Sequence, residues 1–235
     1  MRIIFLNSWF GKVENPFFDF IKEQSSKTDI FCLMEVNPKL FTELEGVLVD
    51  FKGVYKKGRT IESLSIGSGQ AIFLKKGIDI LSSGRVSIYR QSPTDVGFLQ
   101  FVNASKNGAK FWIGSVHGKA QPGQKLDTPV RINQSAKILQ FFKDKEGPKI
   151  IGGDFNLMPD TESVKMFEKA GYRNLIRVFE IKETRNRLSW EQFPNNEKQH
   201  FADFCFVSPE IKIQNFQVTY NEISDHLPQI LDFEI

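Results

Sequence analysis

The run Lys149-Ile150-Ile151-Gly152-Gly153-Asp154-Phe155-Asn156 constrains the fold of this chain more than any other stretch. Its apolar start, bounded by turn residues, predicts a buried strand. Two glycines follow, and there the backbone can turn sharply and approach other groups closely. If the chain stays extended, Asp154 and Asn156 point to one side while Phe155 points back into the core. A carboxylate and a carboxamide then sit together at a strand end, which suits holding and deprotonating a water. A plain strand-to-turn exit would use the same residue types, because Gly, Asp and Asn are all turn formers. The remainder of the chain decides between the two.

Apolar runs recur along the chain with polar punctuation. Strands are expected at Arg2 to Leu6, Ile30 to Met34, Gln70 to Leu74, Val86 to Tyr89, Phe98 to Val102 and Phe111 to Val116. Further strands are expected at Phe204 to Val207, Ile211 to Val218 and Gln229 to Phe233. Asn107-Gly108 is a hairpin turn signal between two of them. A helix opens at Asn15-Pro16, with Asn as cap and Pro in the first turn, and buries Phe17, Phe18, Phe20 and Ile21. Phe41, Leu44 and Val47-Leu48 suggest a second helix. Ile132, Ala136, Leu139 and Phe142 give a third its apolar side. A short helix over Thr161 to Ala170 is capped by Asp160 or Thr161. Lys56 to Gly69, Gly118 to Pro129 and Glu183 to His200 are polar and are expected as loops. Strands alternating with helices over 235 residues, 40% of them hydrophobic, predict one α/β domain spanning residues 1–235.

The expected strands stop at single polar residues with chemical capability: Asn7, Glu35, His117, and Asp154 with Asn156. Two other strands begin beside Asp203 and beside Asp225-His226. Each has an ordinary explanation: an exposed strand-end charge for Glu35, a satisfied core histidine for His117, a turn for Asp225-His226. Parallel strands ending at one edge, with antiparallel strands starting there, would bring all of them to one rim. Glu35, Asn7 and Asp225 offer hard oxygen ligands, which suit Mg²⁺ or Mn²⁺ better than Zn²⁺. A histidine beside a carboxylate is held in one tautomer and made more basic, which suggests an Asp203–His226 pair. Asp154 is then the candidate base.

Five stretches together resemble the ordered motifs of the endonuclease/exonuclease/phosphatase superfamily. They are Leu33-Met34-Glu35-Val36, Gly114-Ser115-Val116-His117, Gly153-Asp154-Phe155-Asn156, Ala202-Asp203-Phe204-Cys205-Phe206-Val207-Ser208 and Ser224-Asp225-His226-Leu227-Pro228. The resemblance runs from Asn7 to His226. It implies a four-layered α/β sandwich of two packed mixed β-sheets flanked by helices, and metal-dependent cleavage of a phosphate ester. It implies that Glu35 is the principal metal ligand with Asn7 beside it, and that Asp154 aligns or deprotonates the attacking water. Asn156 resembles the hydrogen-bonding partner of Asp154 at the phosphate. Asp225 resembles the acidic residue before the catalytic histidine, His226 that histidine, and Asp203 its orienting carboxylate. His117 resembles a phosphate-contacting histidine of many members; abasic-site enzymes commonly carry Tyr in that region, which argues against that assignment. Arg131 with Gln134 resembles a helix pattern after the histidine loop, structural or functional.

The expected activity is Mg²⁺-dependent phosphodiester hydrolysis on nucleic acid, at a strand end, lesion or adduct. A small-molecule or phospholipid phosphoesterase of the same fold is the alternative, and a catalytically silent binding module the third reading. Arg185, Arg187 and Trp190, with Phe193, are candidates for substrate contact, since guanidinium groups pair with phosphates and rings stack on bases. Trp190 and Phe193 could equally anchor a long loop. The formal charge of +3 is compatible with a polyanionic partner. No apolar run is long enough to span a membrane. Cys32 and Cys205 lie in strand-like runs and read as buried hydrophobes. With no recognisable secretory signal, a cytoplasmic monomer is expected.

Overall fold

A computed structural model describes residues 1–61, 66–90, 96–191 and 198–235. The chain starts with β1 (Arg2–Asn7), α1 (Asn15–Ser25), β2 (Ile30–Met34) and α2 (Pro38–Val47). It continues through β3 (Phe51–Ile61), β4 (Ile66–Lys75), β5 (Asp79–Val86), β6 (Leu99–Lys106) and β7 (Ala109–His117). Then come α3 (Pro129–Lys143), β8 (Lys149–Asp154), α4 (Glu162–Lys169), β9 (Arg173–Asn174) and α5 (Leu175–Val178). The last strands are β10 (Asp203–Val207), β11 (Lys212–Val218) and β12 (Gln229–Glu234).

The strands form two six-stranded mixed sheets, ordered β11-β12-β1-β2-β4-β3 and β5-β6-β7-β8-β10-β9. Each sheet has one parallel pair at its centre, β1 with β2 and β7 with β8. A parallel pair needs a crossover, and α1 and α3 supply the two. Alternation along β1 shows the layering. Ile3 and Phe5 join the core shared with the second sheet, whereas Ile4 and Leu6 pack with Phe17, Ile21, Leu40 and Leu44 of the helices.

Local chemistry accounts for several boundaries. Asn37 caps α2 by accepting from Leu40 N at 2.8 Å. Asn107 and Gly108, with φ of 53° and 84°, make the tight turn between β6 and β7. The helix α4 is capped from another loop: Asp127 accepts from Glu162 N at 2.6 Å and Ser163 N at 3.0 Å. Neither Asp160 nor Thr161 provides that hydrogen bond through its side chain. Asn15 does not cap α1 either, because the cap position falls on Glu14.

Three further expectations change. Lys56 to Gly69 is not a loop. It continues β3 and β4, paired as Lys57↔Gly69, Thr60↔Gly67 and Ile61↔Ile66, around residues 62–65 that lie outside the description. The strand expected at Val86 to Tyr89 lies earlier, as β5 at Asp79–Val86, and Ile88 and Tyr89 are buried beyond it. The inner face of α3 is Arg131, Gln134, Ser135, Ile138 and Phe142, because its first turns cover polar loop backbone and not the core.

Candidate active site

The sheet topology gathers the polar strand ends. Asn7 ends β1 opposite Met34, and Glu35 follows immediately on β2. His117 ends β7 opposite Asp154, which ends β8. Asp203 opens β10, also opposite Asp154. Asp225 and His226 precede β12, where His226 bridges to Arg185. Glu35 turns out of its strand with φ of 54°, a left-handed conformation costing about 1 kcal/mol or more for a non-glycine residue. The turn is held by Ser8 Oγ donating to Met34 O at 2.8 Å and Glu35 O at 2.9 Å.

Side chains complete the cluster. Asn7 Nδ2 donates to Glu35 Oε1 at 3.2 Å and to Asp154 Oδ2 at 3.1 Å. Its Oδ1 accepts from Trp9 N at 3.1 Å, so the amide nitrogen faces the carboxylates and Asn7 serves them as a donor. His117 Nε2 lies 3.5 Å from Glu35 Oε1 and 3.9 Å from Asp154 Oδ2. His226 places Nδ1 2.9 Å from Asp203 Oδ2 and Nε2 3.8 Å from Asp154 Oδ2. Asn156 N donates to Asp154 Oδ1 at 2.9 Å. Arg185 Nη2 stands 3.8 Å from Asp225 Oδ2, with both side chains 14% exposed.

Electrostatics divide the roles. Burial alone would depress the His226 imidazolium, but Asp203, then Asp225 and Asp154, hold it up to about 9. Burial would raise Asp154, but His226, His117 and Lys125 bring it below its ordinary value. It is therefore an ionised acceptor at neutral pH. Burial raises Glu35; His117 opposes that and Asp225 adds to it.

Residues 5–226 match the Endonuclease/Exonuclease/phosphatase family. The chain belongs to that family. Its members are hydrolases, nucleases and phosphatases among them, and the two flanked sheets are the DNase I-like α/β sandwich. An endonuclease/exonuclease/phosphatase from Bacteroides vulgatus is similar over 100% of this chain and 98% of that one, at 17% identity and TM-score 0.80. A mannosyl-6-phosphatase from Bacteroides thetaiotaomicron covers 100% of both chains at 16% identity and TM-score 0.73. D. rerio TDP2 complexed with single-strand DNA product covers 100% and 99% at 18% identity and TM-score 0.73. No curated protein matches the chain in sequence.

The family is typically dependent on a divalent metal, and the donors present here fit one. Asp154, Asp203 and His226 bring ligand atoms within 4.8 Å of one another. His226 Nδ1 and Asp203 are committed to each other, however, which leaves the carboxylates of Glu35 and Asp225 as the open donors. Glu35 is the more accessible, its side chain 21% exposed. Oxygen donors clustered with like charge, Glu35 among them already raised by burial, fit a divalent cation.

Other expected residues fall differently. Arg187 is exposed and bound by Glu191 and Glu222, so it does not join the cluster. Trp190 is half-buried with its ring 5.1 Å from that of His200. Phe193 lies outside the described residues. Arg131 is wholly buried and donates to the carbonyls of Lys119, Ala120, Pro122 and Leu126. Gln134 accepts from Lys119 N at 2.8 Å and donates to Phe155 O at 3.2 Å. Both build the loop after β7. That loop carries a residue sequence reasoning passed over: Lys125, only 6% exposed, whose Nζ donates to Asn156 Oδ1. Burial depresses its ammonium to about 8, against the pull of Asp154. Its only sequence signal was its place in a short Gly/Pro loop between two motifs. Trp9 was also missed; it adjoins Asn7 and carries Lys12 Nζ 4.0 Å over its ring.

Among the described residues, no helix is long and apolar enough to cross a membrane. Cys32 and Cys205 are free and buried.

Proposed function

We propose that this chain is a divalent-metal-dependent phosphodiesterase that cleaves nucleic acid at a strand end, lesion or adduct. The observation that carries the reading is the meeting of Asn7, Glu35, His117, Asp154 and the Asp203–His226 pair at one rim of two packed sheets. Asp154 accepts a proton from a water aligned with phosphorus, and Asn156 N fixes the carboxylate through Oδ1. His226, held as a cation by Asp203, donates from Nε2 to a non-bridging oxygen. His117 contacts a second oxygen. Glu35 and Asp225 would hold Mg²⁺ or Mn²⁺, which when bound neutralises charge on the phosphoryl group.

Two features favour a polymeric anion. The β3–β4 hairpin runs past the end of β2 on the side of Glu35, because Met34 pairs with Gln70 and the hairpin continues to Ile61↔Ile66. It carries Lys57 and Arg59, both exposed. The fold is shared with D. rerio TDP2, whose complex holds single-strand DNA product. A second reading, a phosphatase for small sugar phosphates, is favoured by the neutralised Arg187 and by the likeness to a mannosyl-6-phosphatase.

The test is a panel of nicked, abasic, single-stranded and 5′-tyrosyl DNA run beside sugar phosphates and phospholipids, with Mg²⁺, Mn²⁺ or excess chelator. DNA cleavage abolished by chelator is expected. Full activity in chelator, or turnover of sugar phosphates alone, sinks this assignment.

A further inference from the structure

Lys125 is a buried cation in a loop whose other lysine, Lys119, remains partly exposed. Lysine is almost never buried without a partner. Here the partner is uncharged: the Oδ1 of Asn156. The surrounding structure drives the side chain inward. Arg131 clamps the carbonyls of Lys119, Ala120, Pro122 and Leu126 on both sides of it. Met158 N donates to Lys125 O at 2.9 Å. Lys125 itself is left-handed, with φ of 58°, and so is Asn156, with φ of 53°. Two residues of unfavourable backbone conformation are thus bound to each other beside Asp154.

The oxygen and nitrogen of an asparagine amide are nearly equal in size, so partners alone decide which way it points. A cation accepts nothing, and Lys125 therefore forces Oδ1 toward itself. Nδ2 is turned the other way, donates to Gly118 O at 3.3 Å, and keeps a second N–H. In the reverse orientation the amide oxygen would confront an anionic phosphate. We propose that Lys125 is a positioning residue, whose ammonium holds the Asn156 amide so that N–H and not C=O faces the substrate phosphoryl group. This rests on the phosphoesterase reading. Beyond its smaller pull on Asp154, Lys125 acts on the reaction through Asn156, and the positive charge also polarises the amide and strengthens its N–H as a donor.

The test compares Lys125→Met, Asn156→Ala and the double variant on a p-nitrophenyl phosphodiester with Mg²⁺. Lys125→Met should lower kcat by roughly tenfold to a hundredfold with KM little changed, the scale of a lost preorganised donor. The double variant should be no slower than the slower single. Aminoethylation of Lys125→Cys should restore the rate, since Cys32 and Cys205 are buried. Multiplicative losses, or a fall in melting temperature with kcat intact, overturn the proposal. A spectroscopic arm is independent of activity. The Asn156 side-chain NH₂ signals, assigned by their loss in Asn156→Ala, should shift in Lys125→Met. Should Lys125→Met not fold, wild-type protein alone decides: a cross-peak must link the Lys125 ammonium to the Asn156 amide, and its absence overturns the contact. Loss of that contact condemns the inference alone, whereas an inactive wild type with the contact intact condemns the phosphoesterase reading.

Discussion

The Asp203–His226 pair concentrates the pH response at the residue scale. The imidazolium is stable to about 9 because Asp203, buried beside it, favours the charged form. Asp203→Asn removes that anion, so the folded-state value falls toward or below the ordinary 6.5. The alkaline limb of kcat against pH should therefore move to lower pH; an unmoved limb would detach Asp203 from His226. The same sign governs stability. The raised imidazole contributes fully below its ordinary value, and that contribution is lost as pH rises through about 9. Because Asp203 acts through His226, Asp203→Asn, His226→Ala and their combination should be non-additive in rate. Asp154→Asn keeps size and hydrogen bonding but removes the charge. Its kcat should fall by roughly two or more orders of magnitude, with metal binding by calorimetry retained. Restoration of kcat by saturating metal would make Asp154 a ligand and not the acceptor. Most of these residues were legible before the structure, since each is the one polar group at the end of an apolar run. Lys125 was not: a lysine in a loop of Gly, Pro and Lys looks solvated, and only the clamp from Arg131 turns it inward.

At the scale of elements, buried strands announced themselves, and so did the half-exposed β11 by its alternation, but the exposed β5 did not. Ile30 to Met34 is wholly buried and wholly apolar, as the middle of a covered sheet must be. Beyond Lys56 and Gly69 the β3–β4 hairpin passes the end of β2 and turns small residues such as Ser68 inward, so its Lys, Gly, Ser and Thr resemble a loop. The inner side of α3 was misjudged for a related reason: Arg131 and Gln134 satisfy loop backbone where apolar residues could not. The hairpin is the element expected to meet a polyanion. Among the described residues, Lys57 and Arg59 have no ion pair, unlike Arg187. Lys57→Gln with Arg59→Gln should raise KM for DNA several-fold, flatten the dependence of kcat/KM on log salt, and leave kcat unchanged. Arg185→Gln should raise KM more than Arg187→Gln, because Arg185 borders Asp225. Equal effects from Arg185 and Arg187, or a salt slope unaltered by the hairpin variants, would move the binding surface elsewhere.

The whole molecule works as a spacer between two sheets. Asn7 belongs to one sheet and Asp154 to the other, yet their side chains meet at 3.1 Å. Two residues back along each strand, on the same face, stand Phe5 and Gly152. A Cβ on Gly152 would lie 2.7 Å from the Phe5 ring, so the ring fills the space that a side chain would occupy. The close approach expected at this glycine is to the Phe5 ring, a packing role. Gly153 differs: its φ of 125° and the carbonyl of Val116, 2.4 Å from any added Cβ, exclude other residues there. Phe5 seated on Gly152 thus sets the separation of the sheets one step below the site, and that separation sets the Asn7–Asp154 contact. Gly152→Ala should overpack this point, costing about 1–3 kcal/mol. For a chain of this size each kcal/mol lowers Tm by about 2–4 °C. The added methyl should also lengthen the contact between Asn7 and Asp154 and lower kcat. Phe5→Leu makes room for the methyl, so the double variant should be more stable and more active than the two single losses predict. Thermal denaturation and kcat of the four proteins measure both. If Gly152→Ala leaves Tm and kcat unchanged, or if the two substitutions simply add, sheet spacing at Phe5 does not position the site.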